Sequence, residues 1–357
     1  MHTTTWELRL LKALLWAYIG LCLIIASLNF GYVPSASAKV AKAIATLWHF
    51  YENWIKTLLI VVCGALTLRI RRQKGSNTMR KKNLIGFAIA ALLVHIILPF
   101  LLANPEVYYF AMPLPWSTVP LQATLEGTRV HQSLDQSIGL GGIRASILFF
   151  WIYSTFILGG TLLFGRRLQC STLCLFNGFA AEIFEPAIPL VGKRKGPFTK
   201  SKLKRLSLVR TLFIVLAFGF TLYWLLYKAG FPLQASMAWV SQVETYKYLI
   251  FELLMAMFFW VAFVGRLYCY YCPLGTVLGW ISRLAGQQIT TDATHCIQCG
   301  KCNAVCPLSI DIKTFAKEGT PVKVLRCVGC GHCVDACPTN TLHYTTTFTR
   351  HIHHSVK

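Results

Sequence analysis

Eight of the 14 cysteines in this chain occur in two copies of one pattern, C-x2-C-x2-C-x3-C-P. The first copy runs from Cys296 to Cys306 and the second from Cys327 to Cys337. This spacing is typical of a 4Fe–4S cluster, and in two-cluster ferredoxins the fourth cysteine of each copy ligates the other cluster. The sequence therefore predicts two clusters, one held by Cys296, Cys299, Cys302 and Cys337 and one held by Cys327, Cys330, Cys333 and Cys306.

Two other uses of these cysteines fit the pattern less well. A structural zinc site takes two C-x2-C pairs, not four cysteines in this order with a proline after the last. A disulfide framework needs an oxidising compartment, whereas this segment is predicted to face the reducing cytoplasm. We therefore interpret the segment as a carrier of single electrons.

Four more cysteines form two pairs, each a few residues after a Gly-Arg dipeptide. The two motifs are Gly165-Arg166 with Cys170 and Cys174, and Gly265-Arg266 with Cys269 and Cys272. Four converging thiols would suit a metal or iron–sulfur centre, and the alternatives are reduced structural cysteines or a reversible dithiol pair. The neighbouring arginines are expected to lower the pKa of these thiols. Cys22 and Cys63 are isolated in apolar stretches, and we predict them to be inert.

The rest of the chain has the composition of a membrane protein. Hydrophobic residues make up 55% and charged residues 13% of the chain, and the mean hydropathy is +0.53, outside the range of ordinary soluble domains. Six stretches have the ~20 residues that cross a hydrocarbon core, namely 12–30, 45–68, 84–103, 143–164, 208–227 and 246–264. The net charge of +22 does not indicate nucleic-acid binding, because the basic residues collect between apolar stretches.

Two basic loops predict the orientation of these spans. The loops at 69–82 and 165–207 are rich in lysine and arginine, whereas 104–142 and 228–243 carry one basic residue each. By the positive-inside rule, both basic loops and both termini face the cytoplasm. The sequence thus predicts a multi-pass protein of the inner (cytoplasmic) membrane. The stretch Pro34-Ser35-Ala36-Ser37-Ala38 resembles a signal-peptidase site; the long apolar stretch before it favours a retained helix, and cleavage would leave the other five spans oriented as before.

The spans contain two hairpins that look like copies of each other, 84–164 and 208–264, and each ends in Gly-Arg and a cysteine pair. Parallel repeats of this kind place a shared site at their interface. The predicted fold is mainly α: a six-helix transmembrane bundle containing two hairpin repeats, followed by a small α+β ferredoxin-like domain with two clusters. The predicted divisions are 1–83 (two additional helices and a basic loop), 84–207 and 208–290 (the hairpins), 291–345 (the ferredoxin-like domain) and 346–357 (a tail).

Residues 84–345 resemble the membrane-bound iron–sulfur proteins of the NapH, MauN and NosR type, through the two Gly-Arg motifs with cysteine pairs and the double ferredoxin pattern. NapH, the quinol-oxidising subunit of periplasmic nitrate reduction, is the most similar. The family pair is usually C-x3-C-P, whereas Leu175 follows Cys174 and only two residues separate Cys269 from Cys272. The resemblance implies menaquinone or ubiquinone as substrate, and redox partners such as ferredoxin-like, cytochrome c or reductase proteins.

Oxidation of a quinol requires groups that accept two protons, and ionisable residues inside membrane spans are candidates by default. Glu52, His95 and Glu252 meet this criterion, and the predicted topology places all three in the outer half of the bilayer, with His49 and His131. A simple pair between Glu52 and Lys56, four residues apart, is the structural alternative.

The leading hypothesis is an electron-transfer protein between the quinone pool and a partner redox protein, in an anaerobic or alternative respiratory chain. The second hypothesis is an assembly factor that reduces or delivers a metal for another enzyme. The third is a structural anchor for a soluble dehydrogenase. The outer loop at 105–142 is expected to cover a quinone pocket or to dock a partner.

Overall fold

The protein is described by a computed structural model that covers residues 5–33, 37–72, 77–192 and 196–355. The elements, in chain order, are α1 (Trp6–Gly31), α2 (Ala38–Arg72), α3 (Thr78–Leu101), α4 (Arg129–Phe164), α5 (Asn177–Ile183), α6 (Lys200–Lys228), α7 (Gln234–Ala262), α8 (Pro273–Leu284), β1 (Gln288–Thr291), α9 (Lys301–Val305), α10 (Ile312–Glu318), α11 (His332–Asp335), β2 (Leu342–Thr345) and α12 (Thr347–Ser355).

Six of these helices, α1 to α4, α6 and α7, are long and apolar enough to cross a membrane, which confirms the six predicted spans. The helices extend beyond the predicted ends because polar residues continue the helical turns outside the apolar stretch. Helix α4 bends at Gly139, whose φ of +67° is not helical. Glycine adopts this conformation without a steric penalty, so the predicted span from residue 143 begins just after the bend.

Residues 102–128, between α3 and α4, fold back into the bundle. Val107 and Phe110 of this connection have no exposed surface, and Met112 and Leu121 are also buried. His131 supports the connection, since its ring Nδ1 lies 2.7 Å from the carbonyl oxygen of Ala123. We call this end of the bundle the far end, because the cysteine-rich domain packs against the opposite end.

The chain also turns inward after α4. A π-helical turn at Leu168–Leu173 leads into α5, and all seven residues of α5 are buried. Gly178 allows this close packing, because a Cβ atom there would lie 2.8 Å from the Cβ of Cys174 and 3.0 Å from the carbonyl oxygen of Cys170. After α7 the chain makes a similar turn and continues into α8, which starts with Pro273 directly after Cys272.

The carboxyl-terminal cysteine-rich domain is small and contains a two-stranded antiparallel sheet. Strand β1 pairs with β2 in the register from Gln288 with Thr345 to Thr291 with Leu342. Hydrogen bonds attach the domain to the bundle: Tyr344 donates to the carbonyl oxygen of Phe164 at 2.7 Å. The predicted tail at 346–357 is helical over Thr347–Ser355, because Thr346 and Thr349 hydrogen-bond around its first turn.

Part of the predicted basic surface is buried. Arg80 is 4% exposed and lies 2.7 Å from Glu185, which also accepts a hydrogen bond from Arg71 at 2.9 Å. These arginines therefore join the loops to the bundle as well as providing positive charge. Lys74, Lys193, Arg194, Lys195 and the segment Pro34-Ser35-Ala36 lie outside the described residues.

Candidate redox centres

The two cysteine patterns of the carboxyl-terminal domain line two cavities of about 20 Å³ each. One cavity is lined by Cys296, Cys299, Cys302 and Cys337, and the other by Cys306, Cys327, Cys330 and Cys333. Each cavity thus takes three cysteines from one copy of the pattern and the fourth from the other copy. These are the same two groups of four that the spacing predicts.

The donor sets of these cavities fit iron–sulfur clusters. Each cavity offers four thiols, and further donors point at the sulfur atoms: the backbone N–H of Ile310 lies 3.4 Å from Cys306 Sγ, and the Thr341 hydroxyl lies 3.2 Å from Cys337 Sγ. Burial raises the pKa of the Cys327 and Cys333 thiols above the usual range. Such thiols become ligands when a bound metal displaces their protons.

The remaining predicted cysteines, Cys170, Cys174, Cys269 and Cys272, also converge. We call them the membrane quartet. They line one cavity of about 30 Å³ at the end of the bundle that faces the cysteine-rich domain. Cys22 and Cys63, by contrast, are buried within α1 and α2 and line none of the cavities described in this section.

The two Gly-Arg motifs hold the quartet through reciprocal hydrogen bonds. Arg166 donates to the carbonyl oxygen of Cys269 at 3.2 Å, and Arg266 donates to the carbonyl oxygen of Cys170 at 2.7 Å. Each arginine therefore bonds the first cysteine of the other pair. Both side chains are almost completely buried, with 2% and 0% exposure, so their positions are fixed by packing as well as by hydrogen bonds.

Arg166 and Arg266 act to lower the pKa of Cys170, as expected, but burial has the larger effect and raises the pKa of three of the four thiols. Burial raises the pKa of Cys170 above its usual value, although Arg166 opposes the shift. Burial likewise raises the pKa of Cys174 to about 11 and that of Cys272 well above the usual range. Desolvation in an apolar site therefore outweighs the positive charge nearby.

A network of buried charges joins the quartet to the cysteine-rich domain through Glu182. Its carboxylate lies 2.6 Å from Arg266 and 2.8 Å from the ring Nε2 of His332, and accepts a hydrogen bond from Asn83 at 3.3 Å. Burial opposes ionisation, but His332 and Arg266 hold the pKa of Glu182 well below its usual range. Glu182, Cys330 and His332 also place their ligand atoms within 4.8 Å of one another.

The largest cavity described, about 310 Å³, lies at the far end of the bundle. Small-molecule sites have volumes of roughly 300–1,000 Å³. Glu252 lines the cavity, is 1% exposed, and lies 2.8 Å from Lys247. Glu244 lines it as well and accepts hydrogen bonds from Thr118 at 2.5 Å and from Trp224 at 3.1 Å. Three carboxylates therefore line the far-end cavity, those of Glu106, Glu244 and Glu252.

The other two predicted proton acceptors line a second, smaller cavity of about 30 Å³. There Glu52 lies 2.8 Å from Lys56, so the pair considered from the sequence is present. His95 is 1% exposed and stacks on Tyr108 at 5.7 Å, and neither ring nitrogen has a hydrogen-bond partner among the described residues. Glu52, His95 and Glu252 all lie in π-helical turns, which are frequent at functional sites.

Trp116, from the inward-folded connection, lines the far-end cavity, the second cavity and the quartet cavity. Its ring N–H donates to the Tyr268 hydroxyl at 2.9 Å, and Tyr268 directly precedes Cys269. Its ring also lies 5.3 Å from that of Phe176, which lies 5.3 Å from Tyr268. One aromatic cluster therefore spans the distance between the far-end cavity and the quartet.

Sequence reasoning missed several of these residues. Glu182 and Glu244 lie outside the predicted spans, so a search for charges inside spans does not reach them. Trp116 and its proline-rich neighbourhood were recognised only as part of an outer loop. A signal existed for Glu182: it is one of only two acids, with Glu185, in the strongly basic loop at 165–207, and such acids in a membrane protein indicate buried partners for some of the arginines.

Comparison with known proteins assigns the cysteine-rich domain. Residues 288–338 match the family model described as a 4Fe–4S dicluster domain. An uncharacterized protein of Methanocaldococcus jannaschii is 24% identical over 148 residues, which is 41% of this chain and 53% of that protein. The chain thus spans about half the length of the curated relative it matches. No solved structure matches.

This chain is a multi-pass membrane protein with a 4Fe–4S dicluster domain. The family model covers the cysteine-rich domain alone, and we therefore use the name dicluster domain for it from here on. A domain of the iron–sulfur type is thus combined with six helices that are long and apolar enough to cross a membrane.

Proposed function

We propose that this protein oxidises a membrane quinol at the far-end cavity and delivers the electrons to the dicluster domain. The observation that carries the proposal is the position of Trp116. This residue lines the far-end cavity and, through Tyr268, reaches the membrane quartet next to the dicluster domain. A site for a small molecule and a site for electron carriers are therefore connected inside one bundle.

The residues that would hold the clusters are the two sets of four cysteines that line the dicluster cavities. When bound, 4Fe–4S clusters accept and give one electron at a time. We propose two such clusters, as the doubled cysteine pattern favours. The chain supplies thiols, all but that of Cys299 at least partly buried, and donors to two of their sulfur atoms, which is the kind of environment that tunes such clusters.

The far-end residues suit the proton chemistry of the reaction. One quinol yields one quinone, two electrons and two protons, so the site must accept both protons. Glu252 is held 2.8 Å from Lys247, and Glu244 is held by neutral donors alone among its described hydrogen bonds. We propose that these carboxylates accept the protons, and that Glu52 and His95 in the adjoining cavity pass them on. Side chains with tunable charge in low-dielectric sites are suited to this role.

The lining of the far-end cavity also suits selective binding of a quinol. The aromatic rings of Tyr109, Trp116 and Tyr248 form much of its wall beside the carboxylates. An apolar wall with a few polar groups is the usual composition of a small-molecule site. A flat aromatic headgroup with two hydroxyl groups matches that composition, and both menaquinol and ubiquinol have such a headgroup.

The positive-inside rule favours a cytoplasmic dicluster domain, because the basic start of α3 and Arg167, which follows α4, contact it. We therefore place both termini in the cytoplasm and the far-end cavity in the outer half of the inner membrane. The reciprocal bonds of Arg166 and Arg266 support two hairpin repeats. Together with the motif resemblance, this makes a NapH-like quinol-oxidising subunit the preferred assignment, with a soluble redox protein as electron acceptor.

The proposal is tested by quinol-driven reduction of the clusters in anaerobic membrane vesicles, followed by electron paramagnetic resonance. Menaquinol and ubiquinol are each tested. We expect reduction by at least one of them, slowed by roughly 10²–10⁴-fold in Glu252→Gln, the usual loss when a general base is removed. Glu126→Gln is the matched control, because Glu126 is an exposed acid of the same far-end connection.

An unchanged rate in Glu252→Gln would remove this residue from the mechanism. Clusters that stay oxidised with both quinols, in protein whose clusters are reduced by dithionite, would overturn the proposed function itself.

A further inference from the structure

We propose that the membrane quartet, Cys170, Cys174, Cys269 and Cys272, binds a third 4Fe–4S cluster, which relays electrons between the far-end cavity and the dicluster domain. The proposal that the quartet binds a cluster is argued from the geometry of the quartet alone. The proposal that this cluster relays electrons rests on the proposed function.

The quartet cavity resembles the two cavities of the dicluster domain. It has four thiols, as each of them does, and its volume of about 30 Å³ is at least as large as their volumes of about 20 Å³. Four cysteines around a compact apolar cavity are the usual ligand set of a 4Fe–4S cluster. If the smaller cavities each suit a cluster, the quartet cavity has the room and the ligands for one.

A single zinc ion fits the quartet less well. Zinc lies about 2.3 Å from each thiolate, which brings the four sulfur atoms to within roughly 4 Å of one another. No three of the quartet sulfurs lie within 4.8 Å of one another, since Glu182, Cys330 and His332 form the one group in the described part of the chain that meets this criterion. The same is true of the two cysteine sets in the dicluster domain. The quartet is therefore spaced for a cluster with several metal ions.

The charge of Arg166 is the strongest argument for an anionic occupant. The side chain is 2% exposed, and no carboxylate of the described residues lies within ion-pair distance of it. It donates instead to the carbonyl oxygens of Leu325 and Cys269, and its Nε lies 3.2 Å from Cys170 Sγ. A buried cation without a counter-charge is costly. An iron–sulfur cluster held by four thiolates carries net negative charge and would supply it.

Arg266 occupies the equivalent place in the other Gly-Arg motif and differs from Arg166 in having a carboxylate as its counter-charge. It is equally buried, but Glu182 lies 2.6 Å away and neutralises it. Two arginines in matching positions, one with a carboxylate and one with sulfur atoms, indicate that the sulfur atoms carry negative charge in the working protein.

Hydrogen-bond donors also point at the quartet sulfurs. Besides Arg166, the Asn177 side chain donates to Cys269 Sγ at 3.4 Å, and the backbone N–H of Gly275 donates to Cys272 Sγ at 3.4 Å. Three of the four sulfurs thus accept a hydrogen bond, and the bond from Gly275 also caps α8. Donors of this kind stabilise thiolates and raise the reduction potential of clusters. Plain buried thiols need no such arrangement.

The quartet lies between the two sites that it would connect. On one side, Ser171, next to Cys170, donates to the carbonyl oxygen of Val328, next to Cys327, at 2.8 Å. On the other side, Trp116 extends from the quartet cavity to the far-end cavity. The two electrons of one quinol would pass one after the other to the partner redox protein, which is the oxidant, while the two protons stay with far-end side chains.

The metal site is tested on the full chain, purified anaerobically in detergent, by iron and acid-labile sulfide analysis. Three 4Fe–4S clusters give about 12 iron atoms per chain, and the dicluster domain alone gives about 8. The double variant Cys170→Ser/Cys272→Ser is expected to lose about 4 iron atoms and one paramagnetic signal. The matched control is Cys22→Ser/Cys63→Ser, which removes two buried cysteines from helices without touching a cysteine-lined cavity.

About 8 iron atoms per wild-type chain would overturn the proposal even if the double variant failed to fold. One zinc ion per chain, lost in the double variant, would overturn it as well. A third readout is independent of assembly: Arg166→Gln removes a positive charge beside the cluster and is expected to make its reduction potential more negative. The dicluster signals should keep their potentials.

The relay role is tested by rapid freezing after addition of quinol. The quartet signal is expected to appear before the dicluster signals in wild-type protein. In the double variant, reduction of the dicluster domain by quinol should be lost, while reduction by dithionite persists. Iron bound at the quartet with no quinol-driven reduction anywhere would refute the proposed function and leave the metal site standing, so the two failures are distinguishable.

Discussion

The two ends of the bundle use charge in opposite ways. At the far end, Glu252 has one charged partner, Lys247, and faces a cavity of about 310 Å³. At the other end, Glu182 is fully buried between Arg266, His332 and Asn83. A carboxylate with one partner and access to a cavity can exchange protons, whereas one with three partners is fixed. The same residue type is therefore suited to chemistry at one end and to structure at the other.

The cavities at the two ends of the bundle also differ, in size and in lining. The far-end cavity is roomy and lined by carboxylates, hydroxyls and rings, whereas the three cysteine-lined cavities are small and closed by thiols. A substrate that enters and leaves needs room and polar groups that change charge. A resident cofactor needs a close fit and fixed donors, because a rigid site tunes its potential.

The largest expected effect is at a dicluster ligand. Cys330→Ser removes one ligand from the cavity shared with Cys306, Cys327 and Cys333, so we expect that cluster signal and all electron transfer to the partner to be lost. Electron paramagnetic resonance and a quinol-to-acceptor assay measure both. Cys63→Ser should leave both unchanged. Full electron transfer in Cys330→Ser would contradict the assignment of this cavity.

The next largest effect is expected at the end of the bundle that faces the dicluster domain. Arg266→Gln leaves Glu182 without its closest cation in a fully buried site, and breaking such a pair costs about 3–5 kcal/mol. Thermal unfolding in detergent should show a large fall in Tm. Lys82→Gln, at an exposed position of α3, should change stability by less than about 0.5 kcal/mol. Equal stabilities of the two variants would refute a structural role for the Arg266–Glu182 pair.

A matching change at the far end should cost less stability. Lys247→Gln also breaks a buried pair, but Glu252 faces a cavity that water can enter. We expect a loss of about 1–3 kcal/mol, the range for a buried group that loses its partner. The comparison of Tm values for Lys247→Gln and Arg266→Gln decides the point. A larger loss for Lys247→Gln would reverse the proposed difference between the two ends.

The smallest expected effect is at the contact between the dicluster domain and α3. The Asp335 carboxylate accepts hydrogen bonds from the backbone N–H groups of Met79 at 3.1 Å and Arg80 at 3.0 Å, and so acts as the cap of α3 from another element. Asp335→Ala should cost about 0.5–2 kcal/mol, measured by denaturant unfolding. Asp335→Asn should retain most of the stability, because asparagine is also a good cap. No loss in Asp335→Ala would show that water replaces the contact.

The sequence predicted the parts of this protein that depend on spacing along the chain. The six apolar stretches gave the six spanning helices, because a helix must satisfy its backbone inside a lipid bilayer. The doubled cysteine pattern gave the two groups of four, because short loops bring three neighbouring cysteines to one cavity. Glu252, singled out because a charge inside a span is rare, lines the far-end cavity.

The sequence did not predict the inward fold of residues 102–128 or the buried helix α5. Hydropathy assigns both segments to loops between spans. Their burial depends on packing against helices that are distant in sequence. For the same reason Glu182 was missed, and Trp116 was recognised only as part of the outer loop. The raised pKa of the quartet thiols was not predicted, because sequence distance predicts the neighbouring charge but not the loss of water around it.

Spacing and composition by themselves determined the membrane helices and the cysteine groups of the dicluster domain. Tertiary structure alone decided that Arg166 and Arg266 differ in counter-charge and that Trp116 links the two ends. The physical reason is range: hydropathy and ligand spacing act over a few residues, whereas burial and charge compensation depend on which elements meet in space.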